Sequence, residues 1–440
     1  MSKHPVKTNK NKNYIYKNDL FHFESFAEKF SSKLFDEFNT IANEICINQQ
    51  IEDLINGKIV NFSENQAAWH PKYRKDGPKT DNYLRNYILK FLEKKERVNI
   101  VIIGIGGSYE GPKLLVESLR APYMDDKYHY EFITGSDLSE FKYKISNFKQ
   151  EETIFIISSK SFKTDETIAM FNHASKWSKK IDHFIAITSN ICEAKKYGFS
   201  DDNIIHFDKE IGGRYSIWSQ VAEVPLMDGT SFKSFLEGGH QADQDILNDA
   251  NYLEFLKRLS FSDLWLNNNA NKNIRVILSY VWLLRSLPEY FQQLEMESLG
   301  KKPNPDKKYK HTGQVIFGGY GPSAQHSYFQ LLHQGSQEIC ADIIASREDK
   351  KSLAYAQAVI QSKLLSNAPD NLKEDEKING NVPVNLFLLN KIDPFTLGYL
   401  IASWEYRTFI SATMLKINPF DQFGVNAGKI YTKRYLADKN

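Results

Sequence analysis

Two acids, Glu295 and Glu297, flank Met296 in the run Gln292-Gln-Leu-Glu-Met-Glu-Ser298. Beside a cleft, such a carboxylate serves as a general base; on a solvated helix end it has no chemical task. Gly212-Gly-Arg-Tyr-Ser216 places two glycines before an arginine. Paired glycines allow a backbone path that aims a guanidinium into a cleft, where it stabilises developing negative charge; the alternative is a surface turn. His326 and His333 lie in Gly321-Pro-Ser-Ala-Gln-His326 and Gln330-Leu-Leu-His-Gln-Gly335. Their spacing would put both on one face of a helix. A metal would want a third ligand or an HExxH pattern, which the segment lacks, whereas a histidine that moves protons needs no metal. Lys429 closes Ile417-Asn-Pro-Phe-Asp-Gln-Phe-Gly-Val-Asn-Ala-Gly-Lys429, which proline and glycine mark as irregular.

Two further segments suit an anion. Gly104-Ile-Gly-Gly107-Ser108 follows a β-branched run and precedes a helical one. Backbone amides of such a turn, together with a helix N-terminus, favour negative charge. The sixth position of the dinucleotide fingerprint GxGxxG is Tyr109, and no GK[ST] follows, so a phosphate cradle fits better than an NAD or P-loop site. Ser158-Ser159-Lys160-Ser161-Phe-Lys-Thr164-Asp-Glu-Thr167 is dense in hydroxyls and cations. It can bind phosphate oxygens or simply cap a helix. Two such turns at the C-terminal ends of neighbouring parallel strands favour the ligand reading, because ligands collect at that edge.

The elements that must carry these segments follow from periodicity. Val98–Ile103, Thr153–Ile157, Phe184–Thr188 and Asn203–Phe207 read as buried strands. They alternate with helical stretches, which predicts a parallel sheet with helices on both faces. Pro225–Gly239 reads as a crossover into a second unit. There the expected elements are helices around 250–295, strands at Gln314–Phe317, Ile339–Ile344 and Val384–Leu389, helices near 324–334 and 348–365, and a long helix within Pro394–Leu415. Residues 1–18 read as a flexible tail, 20–56 as a helical segment, Asn82–Leu92 as a helix, and Val276–Leu287 as a buried core helix.

Composition sets the outer limits. The 440 residues suit two or three domains or one large α/β unit, and a composition 41% hydrophobic and 25% charged is that of an ordinary globular protein. Lys and Arg number 56 against 54 Asp and Glu, so nothing electrostatic argues for nucleic acid or a membrane surface. No apolar run approaches the length of a membrane span, and the basic, Asn-rich start has no apolar stretch behind it. Cys46, Cys192 and Cys340 are few and scattered, which fits a reducing cytoplasm better than a disulfide framework.

Taken together and in order, the segments resemble the phosphoglucose isomerase family. The resemblance rests on Phe62–Arg74, Ile103–Ser108, Ser159–Thr167, Gly212–Ser216, Gln292–Lys301, Gln325–Ser336 and Ile417–Lys429. It implies an α/β fold of two sugar-isomerase (SIS) domains, each a Rossmann-like three-layer sandwich with a parallel-rich sheet. The expected division is 1–80 as an N-terminal tail and helical segment packing on the second lobe, 81–235 as the first SIS domain, and 236–440 as the second with a C-terminal extension. The implied activity interconverts glucose 6-phosphate and fructose 6-phosphate, in glycolysis and gluconeogenesis, without cofactor or metal. By position, Gly107, Ser108, Ser159, Lys160, Ser161 and Thr164 match the phosphate-binding group, with Gln293 positioning the substrate. Glu297, Arg214, His333 and Lys429 match the catalytic group. The family works as a homodimer, so His333 is expected to act across the interface.

The chain departs from the family pattern at several places. Tyr109-Glu110 replaces Asp-Leu, Gln66 replaces Arg, Ala68-Trp69 replaces Val-Leu, Ala324 replaces Gly, Leu299 replaces Asn, Ser336 replaces Thr and Asn426 replaces an acid. No proposed catalytic group is lost. Two alternatives remain at this level: an isomerase that also accepts mannose 6-phosphate, and a sugar-phosphate-binding regulator without catalysis. The regulator has no need of Glu297, His333, Lys429 and Arg214 together.

Overall fold

A computed structural model describes residues 13–26, 29–79, 95–120, 127–226, 229–305 and 308–438. The expected helix Asn82–Leu92 lies outside the described residues. The chain opens with strands β1 (Tyr14–Lys17) and β2 (Phe21–Ser25), then two helices, Ser32–Glu44 and Ile47–Ile55. A small antiparallel hairpin follows, β3 (Ile59–Asn61) and β4 (Gln66–Ala67). The first large sheet comprises β5 (Val98–Ile103), β6 (Tyr128–Ile133), β7 (Thr153–Ser158), β8 (Phe184–Thr188) and β9 (Ile204–His206). The second uses β10 (Ile274–Ser279), β11 (Val315–Tyr320), β12 (Ile339–Ser346) and β13 (Val384–Leu389).

The first sheet is parallel throughout, in the order β6-β5-β7-β8-β9. Its central strands are apolar on both faces because both faces are covered. Ile100, Ile102, Ile154 and Ile156 join one core, while Val101, Ile103, Phe155 and Ile157 join a separate core with Met170 and Phe171 of the helix Asp165–Ser178. The order turns back at β5, so a crevice opens at the C-terminal ends of β5 and β7. The second sheet runs β1-β2-β13-β12-β10-β11, with β10 to β13 parallel and the N-terminal pair antiparallel. It too separates two cores: Ile277, Ile344 and Phe387 face one, Val276, Leu278 and Ile343 the other. Between the lobes, the helix Pro394–Leu415 is buried from Thr396 to Leu415 and packs on the helices Gly229–Asn248, Ala250–Asn268 and Leu287–Leu299. Its charges are paired: Arg407 with Asp263 and Asp342, and Glu405 with Arg74.

Three expectations change. Residues 14–25 are neither tail nor helix but add two strands to the second sheet, while residues 1–12 of the expected tail lie outside the described residues. Phe21 and Phe23 alternate with half-buried neighbours at the strand period, and Tyr16 stacks on Phe255 at 4.3 Å. The helix starts at Ser32, where the Ser31 hydroxyl accepts from Leu34 N. Val276–Leu287 is not a helix but the end of β10 and a short 3-10 turn, Trp282–Leu284; the helix begins at Leu287 with a proline in its first turn. A strand buried on both faces has the same unbroken apolar run as a buried helix, so periodicity cannot separate them. His326 falls in a turn between the short helices Gly321–Ala324 and Phe329–Gln334, so it shares no continuous helix face with His333. Periodicity does not reveal β6, a largely half-buried edge strand whose first four residues, Tyr128-His-Tyr-Glu131, carry polar groups.

Candidate active site

Two backbone turns interlock at the crevice of the first sheet. After β5 the chain makes a single turn, Gly106–Ser108, and the Gly213–Trp218 turn lies against it. A Cβ on Gly107 would sit 1.8 Å from the Gly213 carbonyl oxygen, so only glycine permits this approach. Ser216 Oγ bonds both carbonyls, Gly213 at 2.7 Å and Gly107 at 3.2 Å. Arg214 is thereby fixed to the loop that would hold an anion.

The turn after β7 is set by burial and by hydrogen bonds. Phe162 adopts a left-handed conformation and is fully buried, with its ring against Tyr197 and Phe199. The Lys160 carbonyl accepts from Ser189 N, Ser189 Oγ and Thr188 Oγ1 at the end of β8. With its backbone held there, Lys160 lines the cleft, and its ammonium makes no hydrogen bond or ion pair among the described residues. Burial pushes its pKa down, and the charges of Glu64 and Glu210 partly oppose that. Ser159 and Thr164 hydroxyls are 3.1 Å apart. Ser158 Oγ and Thr167 Oγ1 are buried and make no hydrogen bond among the described residues. The helix Asp165–Ser178 begins here, with Thr164 as its N-cap residue and no side-chain hydrogen bond capping its first amides. Hydroxyls, an unpaired ammonium and a helix N-terminus make an anion pocket.

The helix Leu287–Leu299 supplies the opposite wall. Gln293 and Glu297 are one turn apart, with Gln293 Nε2 donating to Glu297 Oε1 at 3.4 Å. Glu297 Oε2 accepts from Arg214 Nη1 at 2.8 Å. Asn418–Gln422 closes the side near Arg214, which donates to Pro419 O, Asp421 O and Gln422 Oε1. The β3–β4 turn forms a rim: Asn61 and Gln66 both donate to Glu64 Oε2, and Ser63 donates to Asp421 Oδ2. Lys429, on the helix Asn426–Ala437, completes the lining.

The cleft measures about 590 Å³ and takes in Gly107, Ser108, Ser159, Lys160, Ser161, Thr164, Arg214, Gln293, Glu297 and Lys429. His333 is not part of it. That histidine lies on the helix Phe329–Gln334, with Nε2 2.9 Å from Gln361 Oε1 and Nδ1 unpartnered. Burial lowers its pKa below the usual histidine value. Sequence reasoning overlooked Ser189, Asn190 and Glu210, which also line the cleft. Ser189 and Asn190 directly follow a buried strand, a position that could have flagged them. Nothing in the local sequence marked Glu210. Chemically, the cleft joins an anion pocket to a carboxylate, a guanidinium and an ammonium, as a phosphorylated substrate undergoing proton transfer requires.

The profile of the family described as phosphoglucose isomerase matches residues 89–439. A glucose-6-phosphate isomerase of Shewanella sp. (strain ANA-3) is 34% identical over 457 aligned residues, covering 90% of this chain and 84% of that protein. A glucose-6-phosphate isomerase of Shewanella baltica (strain OS185) is 33% identical, covering 91% and 84%. Among solved structures, a glucose-6-phosphate isomerase from Chlamydia trachomatis superposes with a TM-score of 0.80 at 24% identity, covering 95% of this chain and 89% of that one. A tagatose-6-phosphate ketose/aldose isomerase from Escherichia coli shares the fold more distantly, with a TM-score of 0.52, 11% identity and coverage of 85% and 94%.

Proposed function

The chain belongs to the phosphoglucose isomerase family, and from that premise we propose that it interconverts glucose 6-phosphate and fructose 6-phosphate, a step of glycolysis and gluconeogenesis. One observation carries the reading: a carboxylate and a buried guanidinium, Glu297 and Arg214, meet at 2.8 Å in the cleft that also holds the anion pocket. The phosphate is bound by Ser108, Ser159, Ser161, Thr164 and Lys160, with Gly107 leaving room for the backbone. Its binding energy holds the sugar in register for the distant carbons. Lys429 and a histidine open the ring by moving protons between ring oxygen and hydroxyl. Glu297 then takes the proton from C2 and returns it to C1 through a cis-enediolate, and one carboxylate serves for both transfers. Arg214 stabilises the enediolate charge, and Gln293 orients the base.

The histidine in this reading is His333 of the partner subunit in a homodimer. Support comes from the absence of His333 from its own chain's cleft. Exposed apolar side chains lie on its own helix and on the helix that carries Gln361: Leu331 at 41%, Ile360 at 51% and Leu353 at 73% of their full exposure. The helix Asn426–Ala437, which carries Lys429, buries none of its residues in this chain, yet displays Ile430, Tyr431, Tyr435 and Leu436. Exposed apolar side chains on the helix that brings Lys429 to the site support the reading of a covering partner. The same reading assigns 81–235 and 236–440 to two SIS domains and packs 1–80 on the second; the two sheets and the docking of β1 and β2 support it. A cytoplasmic location accords with three unpaired thiols, and among the described residues no helix is long and apolar enough to cross a membrane.

A coupled assay tests the activity. Purified, chelator-treated protein given fructose 6-phosphate should yield glucose 6-phosphate, detected with a dehydrogenase. Glu297→Gln should keep its sugar-phosphate thermal shift and lose about 10²–10⁴-fold in kcat, the usual worth of a general base. Near-normal turnover in that variant would remove Glu297 as the base. No turnover in the wild type, with the thermal shift retained, would leave a sugar-phosphate binder.

A further inference from the structure

All five N–H donors of the Arg214 guanidinium are engaged. Nε donates to Ser298 Oγ at 2.8 Å. Nη1 donates to Glu297 Oε2 at 2.8 Å and Gln422 Oε1 at 3.1 Å. Nη2 donates to Pro419 O at 2.5 Å and Asp421 O at 3.0 Å. A guanidinium has no further donor to offer. A substrate oxygen can therefore reach it only by displacing an acceptor. Glu297 and Gln422 line the cleft and bond to Nη1; the other three acceptors lie behind it.

Of those three, Ser298 is the only side chain. It is fully buried and follows Glu297 directly on the same helix. Its Oγ lies 3.1 Å from Tyr215 OH, and the buried Tyr215 ring stacks on His70 at 4.6 Å and 18°. The hydroxyl that receives Arg214 Nε–H is thus itself held by a locked aromatic ring. Two adjacent residues of one helix grip the guanidinium, Glu297 at Nη1 and Ser298 at Nε. The Nε–H bond restrains the planar fork together with the four bonds at Nη1 and Nη2.

We propose that Ser298, backed by Tyr215, is a positioning residue for the isomerisation, holding the Arg214 plane so that Nη1 faces the carboxylate of Glu297 and the oxygen bearing the enediolate charge. The proposal rests on the isomerase reading and deepens it. Ser298 touches no substrate; it acts through Arg214. Because Arg214 works mainly on charge that develops in the transition state, loss of its orientation should fall on kcat rather than KM.

Ser298→Ala should lower kcat about 10–100-fold, the loss expected for one charge-assisted hydrogen bond, with KM within about twofold. Tyr215→Phe should lower kcat less, and the double variant should lose less than the product of the two, because both act through one oxygen. In an Arg214→Lys background, which has no Nε–H, Ser298→Ala should change the residual kcat by less than about twofold. An equal factor in both backgrounds would overturn the proposal. So would a crystal structure of Ser298→Ala in which the guanidinium keeps its place against Glu297 while kcat falls. If Ser298→Ala does not fold, Tyr215→Phe carries the test, and unchanged kcat there would overturn the role of Tyr215. Failure of the isomerase reading is separable: it shows as absent turnover in the wild type, and the crystallographic comparison still reports on the guanidinium.

Discussion

Burial weakens the hold of Lys160 on its proton, and Glu64 and Glu210 only partly restore it. An ammonium with lowered pKa and no ion-pair partner among the described residues is poised for an incoming dianion, which resupplies the missing countercharge. The sign of the pH dependence follows. Free enzyme loses the Lys160 charge as pH rises through a value below that of an ordinary lysine, so kcat/KM for the sugar phosphate should fall on the alkaline side before an unperturbed lysine would titrate. Bound phosphate pushes the pKa back up, so the limb should be muted in kcat. Lys160→Met should raise KM about tenfold at neutral pH and abolish that alkaline limb. Steady-state kinetics across neutral to alkaline pH check both points, and a limb that persists in the variant would assign it to another group. By contrast, Lys301, also partly buried, already spends its charge on Asp421 at 2.9 Å and anchors the loop behind Arg214.

At the scale of elements, the site depends on loops at strand ends being held by rigid neighbours. The loop after β5 meets the Gly213–Trp218 turn backbone to backbone, and a methyl group at Gly107 has no space there. Gly107→Ala should part the two turns and shift Arg214 from the anion pocket. We expect about a 100-fold loss of kcat, since a displacement near 1 Å suffices for that, with far-ultraviolet circular dichroism unchanged. Activity within about threefold of wild type would show that the turns need not touch. The loop after β7 relies on a different device, the left-handed Phe162 buried in an aromatic pocket. Its sequence reveals hydroxyls and cations but not that anchor, because the pocket is made of Tyr197 and Phe199 from far along the chain. In the same way, Val98–Ile103 and Phe184–Thr188 are legible to the residue, while the apolar run of β10 reads as helix. Covered on both faces, a strand loses the alternation that identifies it.

For the whole molecule, the telling placement is His333, which the fold keeps out of the cleft that gathers every other expected site residue. If a partner supplies it, mixing inactive His333→Ala and Glu297→Gln chains should restore up to about a quarter of wild-type activity under random exchange, because one of the two sites in a hybrid regains both groups. Proven hybrids without activity would place both groups in one chain. What the sequence by itself determined was chemistry and class. Residue types in ordered segments suggested an anion pocket, the family resemblance they carry put forward Glu297, Arg214, Lys429 and His333, and strands alternating with helices indicated parallel sheets with helices on their faces. Only the tertiary structure decided which of them meet. Ser298 became visible as the grip on Arg214, Glu210 and Ser189 entered the cleft, and residues 14–25 joined a sheet whose other strands begin some 250 residues later. Such contacts depend on long-range packing and on which polar groups are left buried, and local periodicity carries no record of either.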